Sequence, residues 1–217
     1  MNPDHARTNM ISQQLRTWNV LDEQVLKLCH KVRREAFVTT EFKDLAFADT
    51  EIPVGHGQLM MPPKEEGHII QALQVQPHEK VLQIGALGGY LSALLATQAA
   101  HVYLVETYQE LLTTAQQHLV AAGLTNLSYI LGDINTGWQA DGPFDVIVLT
   151  GSVPAIPTML REALAVKGRL YAVVGKSPAM TATAFHHAQS GLWQETALFE
   201  TDRPRLPHVK EPTLFEF

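Results

Sequence analysis

Cysteine is nearly missing from this chain of 217 residues: Cys29 is the sole one. No intrachain disulfide can form, and a zinc site built on cysteines is excluded. Charge is sparse as well, at 18% of residues, and it leans acidic: 16 lysines and arginines stand against 22 acids, a net charge of -6. That balance argues against a nucleic-acid partner and against docking on an anionic membrane. No run approaches the roughly 18 apolar residues of a membrane span. The opening MNPDHARTNM holds no apolar signal core. These absences lead to the expectation of a soluble, cytoplasmic protein. Internal repeats, low-complexity tracts and long charge blocks are also lacking. What the chain does have is apolar mass, 46% of residues, enough to bury a sizeable core. Its length suits one large domain.

The pattern changes near Gln76-Pro77. Before that point the periodicity is helical. Met10, Ile11 and Leu15 share one face, and Leu26, Leu28 and Val32 follow an N-cap at Asp22. Residues 49–63 read as a loop, with Pro53, Gly55, Gly57, Pro62 and Pro63. A further helix starts near Pro63, with Glu65 and Glu66 in its first turn. After Pro77, β-rich runs at 80–85, 101–106, 127–131, 144–150 and 169–174 alternate with helical stretches at 90–98, 108–122 and 158–164. Such alternation predicts βαβ crossovers and a parallel sheet covered on both faces. Two apolar runs between 192 and 217, separated by TDRPRLPHVKEP, read as a closing antiparallel pair.

In an open parallel sheet, ligands bind beyond the carboxyl ends of the strands. The first strand runs into Gly85, Ala86, Leu87, Gly88, Gly89 and Tyr90, where glycines permit a sharp turn and close backbone approach. Glu106 ends the second strand 21 residues after Gly85, the place for an acid that bonds a ribose diol. Asp133 follows the third strand, where a carboxylate can accept from an adenine amino group. Thr150 ends the fourth, at the mouth of the same crevice. In combination these residues favour an adenosine cofactor. A dinucleotide would call for G-x-G-x-x-G, which is absent, so the methyl-donor reading is stronger than NAD and a small dehydrogenase. About 80 residues also precede the first strand, whereas simple dinucleotide domains often begin with it.

From residue 7 to residue 175 the chain resembles the protein-L-isoaspartate O-methyltransferases. The resemblance lies in RREAFV (33–38), AFADT (46–50), IPVGHGQ (52–58), VLQIGALGGY (81–90), VYLVE (102–106), LGDINTGW (131–138) and FDVIVLTGSVPAIP (144–157). It implies a Rossmann-like, doubly wound, mostly parallel α/β sheet of the S-adenosylmethionine-dependent methyltransferase type, with an N-terminal helical extension. Residues 1–217 then form one methyltransferase-like domain, 1–76 being the helical, substrate-side segment and 77–217 the core. The implied cofactor is S-adenosylmethionine, with S-adenosylhomocysteine as product, on Gln83, the 85–90 loop, Glu106, Asp133 and Thr150. The implied partner is a protein or peptide with a free isoaspartyl carboxylate.

Three departures from the family pattern stand out. Gln83 replaces an acid in the family's E-[IV]-G-T-G-S-G-Y, losing charge assistance toward the cofactor's ammonium group. Leu87 replaces the middle glycine, which costs ~1–2 kcal/mol if the backbone there is left-handed; Gly88, one residue on, offers a place for the flexible point to move. After GHGQ, Leu59 and Met61 replace the two hydroxyls of T-I-S-Q-P. His56, Gln58, Leu59 and Met61 are therefore the substrate-side candidates, and no certain catalytic residue is named. The alternative is a diverged member that binds an adenosine cofactor but has another acceptor, or no isoaspartyl methylation.

Several conspicuous residues have plainer readings. Met60-Met61 fits core filling better than a lid. His56 suits a turn residue as well as a substrate contact. His186-His187 lacks a third metal ligand and reads as a solvated helix face. Cys29 reads as inert core. Trp138 and Trp193 read as packing residues, and Tyr90 as packing at a helix start with its hydroxyl in reach of the cofactor.

Overall fold

The computed structural model describes residues 2–188 and 192–209. Helix α1 (Pro3–Asn9) starts on Asn2, whose side chain accepts from the backbone N–H of Asp4 and His5. It runs on into a π-helical turn, Met10–Leu15, which buries Met10, Ile11 and Leu15. Helix α2 (Glu23–Lys31) is capped by Asp22, as its sequence predicts, and buries Val25, Leu26, Leu28 and Cys29. Helix α3 (Pro63–Leu73) has Pro63 at its first position and ends at Gln74 in the left-handed region. Glu65 and Glu66 occupy its first turn but are buried, not solvated. Glu66 pairs with Arg34 of the RREAFV run, and Glu65 with Arg203. Both are paired, yet burial outweighs Arg34 at Glu66 and pushes its carboxyl up to about 8.

Residues 49–63 are not a plain loop. Strand β1 (Ile52–Gly55) and strand β2 (Gln58–Met60) form an antiparallel hairpin. Gly55, His56 and Gly57 turn it with φ of 105°, 52° and 69°. The prolines and glycines that suggest a loop are the turn and flanks of this short ribbon.

The main sheet has seven strands: β3 (Lys80–Ile84), β4 (His101–Glu106), β5 (Leu127–Leu131), β6 (Phe144–Val153), β7 (Leu164–Lys176), β8 (Ala179–His187) and β9 (Trp193–Thr201). Their order is β5-β4-β3-β6-β7-β8-β9. The first five are parallel, and β8 and β9 add antiparallel to β7. Helices α4 (Tyr90–Gln98), α5 (Gln109–Ala121) and α6 (Thr158–Ala163) make the crossovers. Strands β6 and β7 are longer than their apolar runs predict. The expected antiparallel pair is also corrected: β9 pairs with β8, and the second apolar run of the tail lies outside the described residues. His186 and His187 sit on β8, not on a helix face.

Successive strand residues feed opposite layers. Val81, Leu104, Val146 and Val148 join the N-terminal helices, while Leu82, Ile84, Val105, Ile147 and Leu149 join Trp138, Phe144 and Leu160. Each such fully buried side chain contributes ~1.5–3 kcal/mol. Cys29 lies inside the first layer, where burial pushes its thiol up to about 12. Met60 and Met61 are core residues of the same layer. Among the described residues, no helix is long and apolar enough to cross a membrane.

Candidate functional site

The topology reverses between β3 and β6: β4 lies on one side of β3 and β6 on the other. Ile84 is level with Val105 on one side and Leu149 on the other. Gly85, Glu106 and Thr150 therefore stand together at one carboxyl edge, where this architecture opens a crevice. Gly85 is held at φ 96°, and a Cβ there would lie 1.9 Å from Thr150 Oγ1. That hydroxyl donates to Ile84 O at 3.0 Å, closing the strand end. Only glycine fits between them.

The loop that follows carries three consecutive residues at positive φ: Leu87 at 44°, Gly88 at 82° and Gly89 at 95°. The left-handed bend is thus not moved from Leu87 to Gly88; it spans both. Leu87 is nearly buried, and this packing opposes its backbone strain. His118 Nδ1 donates to Gly88 O at 2.9 Å, bracing the bend from α5. Tyr90 points into the core: its ring lies 5.7 Å edge-on to Phe37 and 5.0 Å below the Arg34 guanidinium. Burial, with Cys29 and Glu66 nearby, raises its hydroxyl well above the ordinary value.

Glu106 is buried and faces the loop. Its Oε2 accepts from Ala86 N at 2.8 Å and its Oε1 from Tyr108 N at 3.0 Å. Gln83 is fully buried on β3, two residues before Gly85. Its Nε2 donates to Gly85 O at 2.8 Å, while Oε1 is buried without a partner. An acceptor left open beside a glycine loop suits a bound donor such as an ammonium group. Asp133 Oδ1 accepts from Asn135 N and Thr136 Oγ1, and Oδ2 lies 2.7 Å from His208 Nδ1. Burial works against its carboxylate, but His208, the Asn135 N–H and Thr136 outweigh it and hold the pKa below the usual value. Trp138 is buried behind it and donates Nε1–H to Asp133 O.

The substrate-side candidates separate. His56 is the turn residue of the β1–β2 hairpin and stacks on Tyr108 at 4.2 Å. Gln58 and Leu59 are half-buried in β2, whereas Met61 is 1% exposed and belongs to the core. Leu59 borders a cavity of about 900 Å³ whose other walls are Glu51, Pro154, the 175–180 turn and residues 202–205. The sequence reading missed this last segment. It leaves β9 and crosses the carboxyl end of β6: Ser152 N donates to Pro204 O, Leu206 N to Ser152 O, and Leu206 packs over Gly151. Arg203 and Arg205 thereby reach the cavity, and Lys176 and Ser177 reach it from the β7–β8 connection. The available signal was two arginines and two prolines within residues 203–207, odd for a closing strand. Among the described residues, no group of three or more His, Cys, Asp or Glu could hold a metal ion.

Comparison with known proteins gives the chain a family and its fold a counterpart. The family described as protein-L-isoaspartate(D-aspartate) O-methyltransferase (PCMT) matches residues 5–201. A protein-L-isoaspartate O-methyltransferase of Koribacter versatilis is 38% identical over 192 residues, covering 88% of this chain and 86% of that one. Another, from Geobacter metallireducens, is 37% identical over 175 residues and covers 81% of each. The crystal structure of a candidate PCMT from Plasmodium falciparum, in complex with S-adenosyl-L-homocysteine, superposes with a TM-score of 0.80. It covers 95% of this chain and 98% of that one at 18% identity.

Proposed function

The chain belongs to the protein-L-isoaspartate(D-aspartate) O-methyltransferase family, and from that premise we propose that it methylates a free isoaspartyl carboxylate of a damaged protein or peptide, with S-adenosylmethionine as donor. S-adenosylmethionine supplies a methyl group already activated on a sulfonium sulfur. The chain's residues then have to bind, orient and exclude water. Glu106 would accept from the ribose, Asp133 from the adenine amino group, and Gln83 Oε1 from the ammonium group. The Gly85–Gly89 backbone gives close approach and Thr150 closes the floor. The single observation that carries the reading is this set of acceptors at successive strand ends, including a buried Gln83 oxygen without a partner.

The acceptor enters by the cavity beside Leu59. A carboxylate is ionised near pH 7, so no general base is needed. Rate depends on holding the acceptor in line. Leu59 offers no hydroxyl, which favours the alternative of a diverged acceptor. Against that alternative, Ser177, Lys176 and Arg205 supply polar groups to the same cavity from other elements. Residues 1–76 and 77–217 act as one unit in this reading, since Leu59 comes from the first and the crevice from the second.

Calorimetric titration with S-adenosylmethionine, S-adenosylhomocysteine and NAD, followed by methyl transfer to an isoaspartyl peptide and to its aspartyl counterpart, tests the proposal. The expected result is binding of both adenosyl compounds, none of NAD, and methyl ester on the isoaspartyl peptide alone. Saturable NAD binding without S-adenosylhomocysteine binding would overturn it.

A further inference from the structure

One wall of the acceptor cavity is a short hairpin, rooted in the core by Ile52 and Met60. Strand β2 is three residues long, and an isolated two-stranded hairpin is marginal in water. We infer that Arg203 is a positioning residue for the acceptor: it clamps the β1–β2 hairpin to the carboxyl edge of the main sheet and so fixes Leu59 as a wall of the cavity. The inference rests on the acceptor reading given above.

The guanidinium of Arg203 is 1% exposed. Its Nη1 donates to Glu51 Oε1 at 3.1 Å and Glu65 Oε2 at 2.9 Å, and Nη2 donates to Leu59 O at 3.0 Å. Glu51 precedes β1, Leu59 lies in β2, and Glu65 is in the first turn of α3. One side chain thus grips both sides of the hairpin and the helix that follows it. The main chain of the same segment grips the sheet. Arg203 O accepts from Ser152 Oγ at 2.8 Å, and Pro204 O accepts from Ser152 N at 2.8 Å. Ser152 stands two residues beyond Thr150 in β6, so the clamp joins the acceptor wall to the rim of the cofactor crevice. A planar fork can address three acceptors in fixed directions, which a single ammonium does less well. None of the side-chain partners of Arg203 belongs to the glycine loop, Glu106 or Asp133, and the hairpin touches that loop through Val54 beside Gly88. Loss of Arg203 should therefore be felt much more by the acceptor than by the cofactor.

Arg203→Met and Arg203→Lys, in the full chain, test this by three measurements. These are S-adenosylhomocysteine affinity by calorimetry, steady-state kinetics on an isoaspartyl peptide, and hydrogen exchange across residues 52–60. Loosening the wall that receives the peptide removes binding as well as alignment, so Arg203→Met should raise the peptide KM about tenfold or more. S-adenosylhomocysteine affinity should stay within about twofold. Exchange should quicken in 52–60 while β3 and β6 keep their protection, and Arg203→Lys should recover part of each loss. If Arg203→Met does not fold, Glu65→Gln weakens one partner that does not line the cavity and should move KM and exchange in the same direction by less. Unchanged KM and unchanged exchange in a folded Arg203→Met protein overturn the inference. So do parallel losses of peptide and cofactor binding with exchange rising throughout the sheet, which would make Arg203 a general stability residue. If the unaltered chain forms no ester, the acceptor reading falls. The exchange measurement then decides the clamp alone: quickening confined to 52–60 sustains it, and none removes it.

Discussion

Glu106 uses one carboxylate to hold two backbone amides, Ala86 N and Tyr108 N, on either side of the crevice. Replacing it by glutamine keeps the size but turns one acceptor into a donor facing an N–H. We expect Glu106→Gln to weaken S-adenosylhomocysteine binding by tenfold or more, since hydrogen bonds to a charged group are worth ~1.5–3 kcal/mol. Calorimetry checks this, and unaltered affinity would remove Glu106 from the proposed site. Leu59 and Met61 differ more than their sequence positions suggest. Leu59→Thr places a hydroxyl at the cavity at little cost, and should raise kcat/KM on an isoaspartyl peptide several-fold, in keeping with ~1 kcal/mol for one hydrogen bond. Met61→Ser would instead empty a packed core position, 1% exposed. It should lower stability by ~2–5 kcal/mol, and Tm by roughly 5–15 °C, without improving turnover. Restoring both hydroxyls together would confuse the two effects; separate variants, each followed by melting and by kinetics, keep them apart.

At the scale of elements, the 85–90 loop sets backbone strain against packing. Leu87 sits at φ 44°, which costs a non-glycine residue ~1–2 kcal/mol, yet its side chain is 6% exposed. Truncating a buried leucine typically costs ~2–5 kcal/mol. The packing term is larger, so Leu87→Gly should destabilise the protein by ~1–3 kcal/mol even though it restores the family's glycine. A denaturant melt that shows a gain in stability would mean that strain dominates. The elements themselves were unequally legible. Strands β3 to β6 are near-continuous apolar runs followed by glycines or acids, and their order along the chain suffices to place Gly85, Glu106 and Thr150 on one edge. The β1–β2 hairpin was hidden because three-residue and four-residue strands carry no period and Pro53 reads as a breaker. Strand β8 was hidden because AMTATAFHH alternates small, hydroxyl and imidazole side chains with few large apolar ones. Arg203 was invisible for a different reason: its partners, Glu51, Leu59 and Glu65, lie far away along the chain, and a buried arginine differs from a solvated one only in its tertiary contacts.

At the scale of the molecule, the end of α3 and the sheet meet through Arg169, held by an ion pair with Glu79 just ahead of β3, as well as through apolar contact. Arg169, on β7, donates to Glu79 and to the carbonyls of Leu73 and Gln74 at the end of α3. Glu79 also accepts from Gln76 N at 2.8 Å. Burial opposes the ionised Glu79, but the Arg169 hydrogen bonds and the Gln76 N–H prevail and hold its pKa below the ordinary glutamate value. The sign follows from linkage. A carboxyl whose folded pKa is depressed contributes stability that is complete above the unfolded value, near 4.3, and is lost as pH falls through the folded value. Asp133, depressed in the same direction, adds to this at the crevice. The chain should therefore lose stability steeply as pH drops from about 4.5. Glu79→Gln should be less stable than the parent at pH 7, by ~1–3 kcal/mol, because Arg169 keeps its carbonyl partners but loses its counter-charge. It should also show a shallower acid limb, since one of the protons driving unfolding is gone. Urea melts at pH 7 and at steps down to pH 3 would show the two curves converging. A Glu79→Gln curve that stays parallel to the parent's through this window would mean that ionisation of Glu79 is not linked to folding, leaving Arg169's bonds to the Leu73 and Gln74 carbonyls and apolar contact to hold α3 to the sheet.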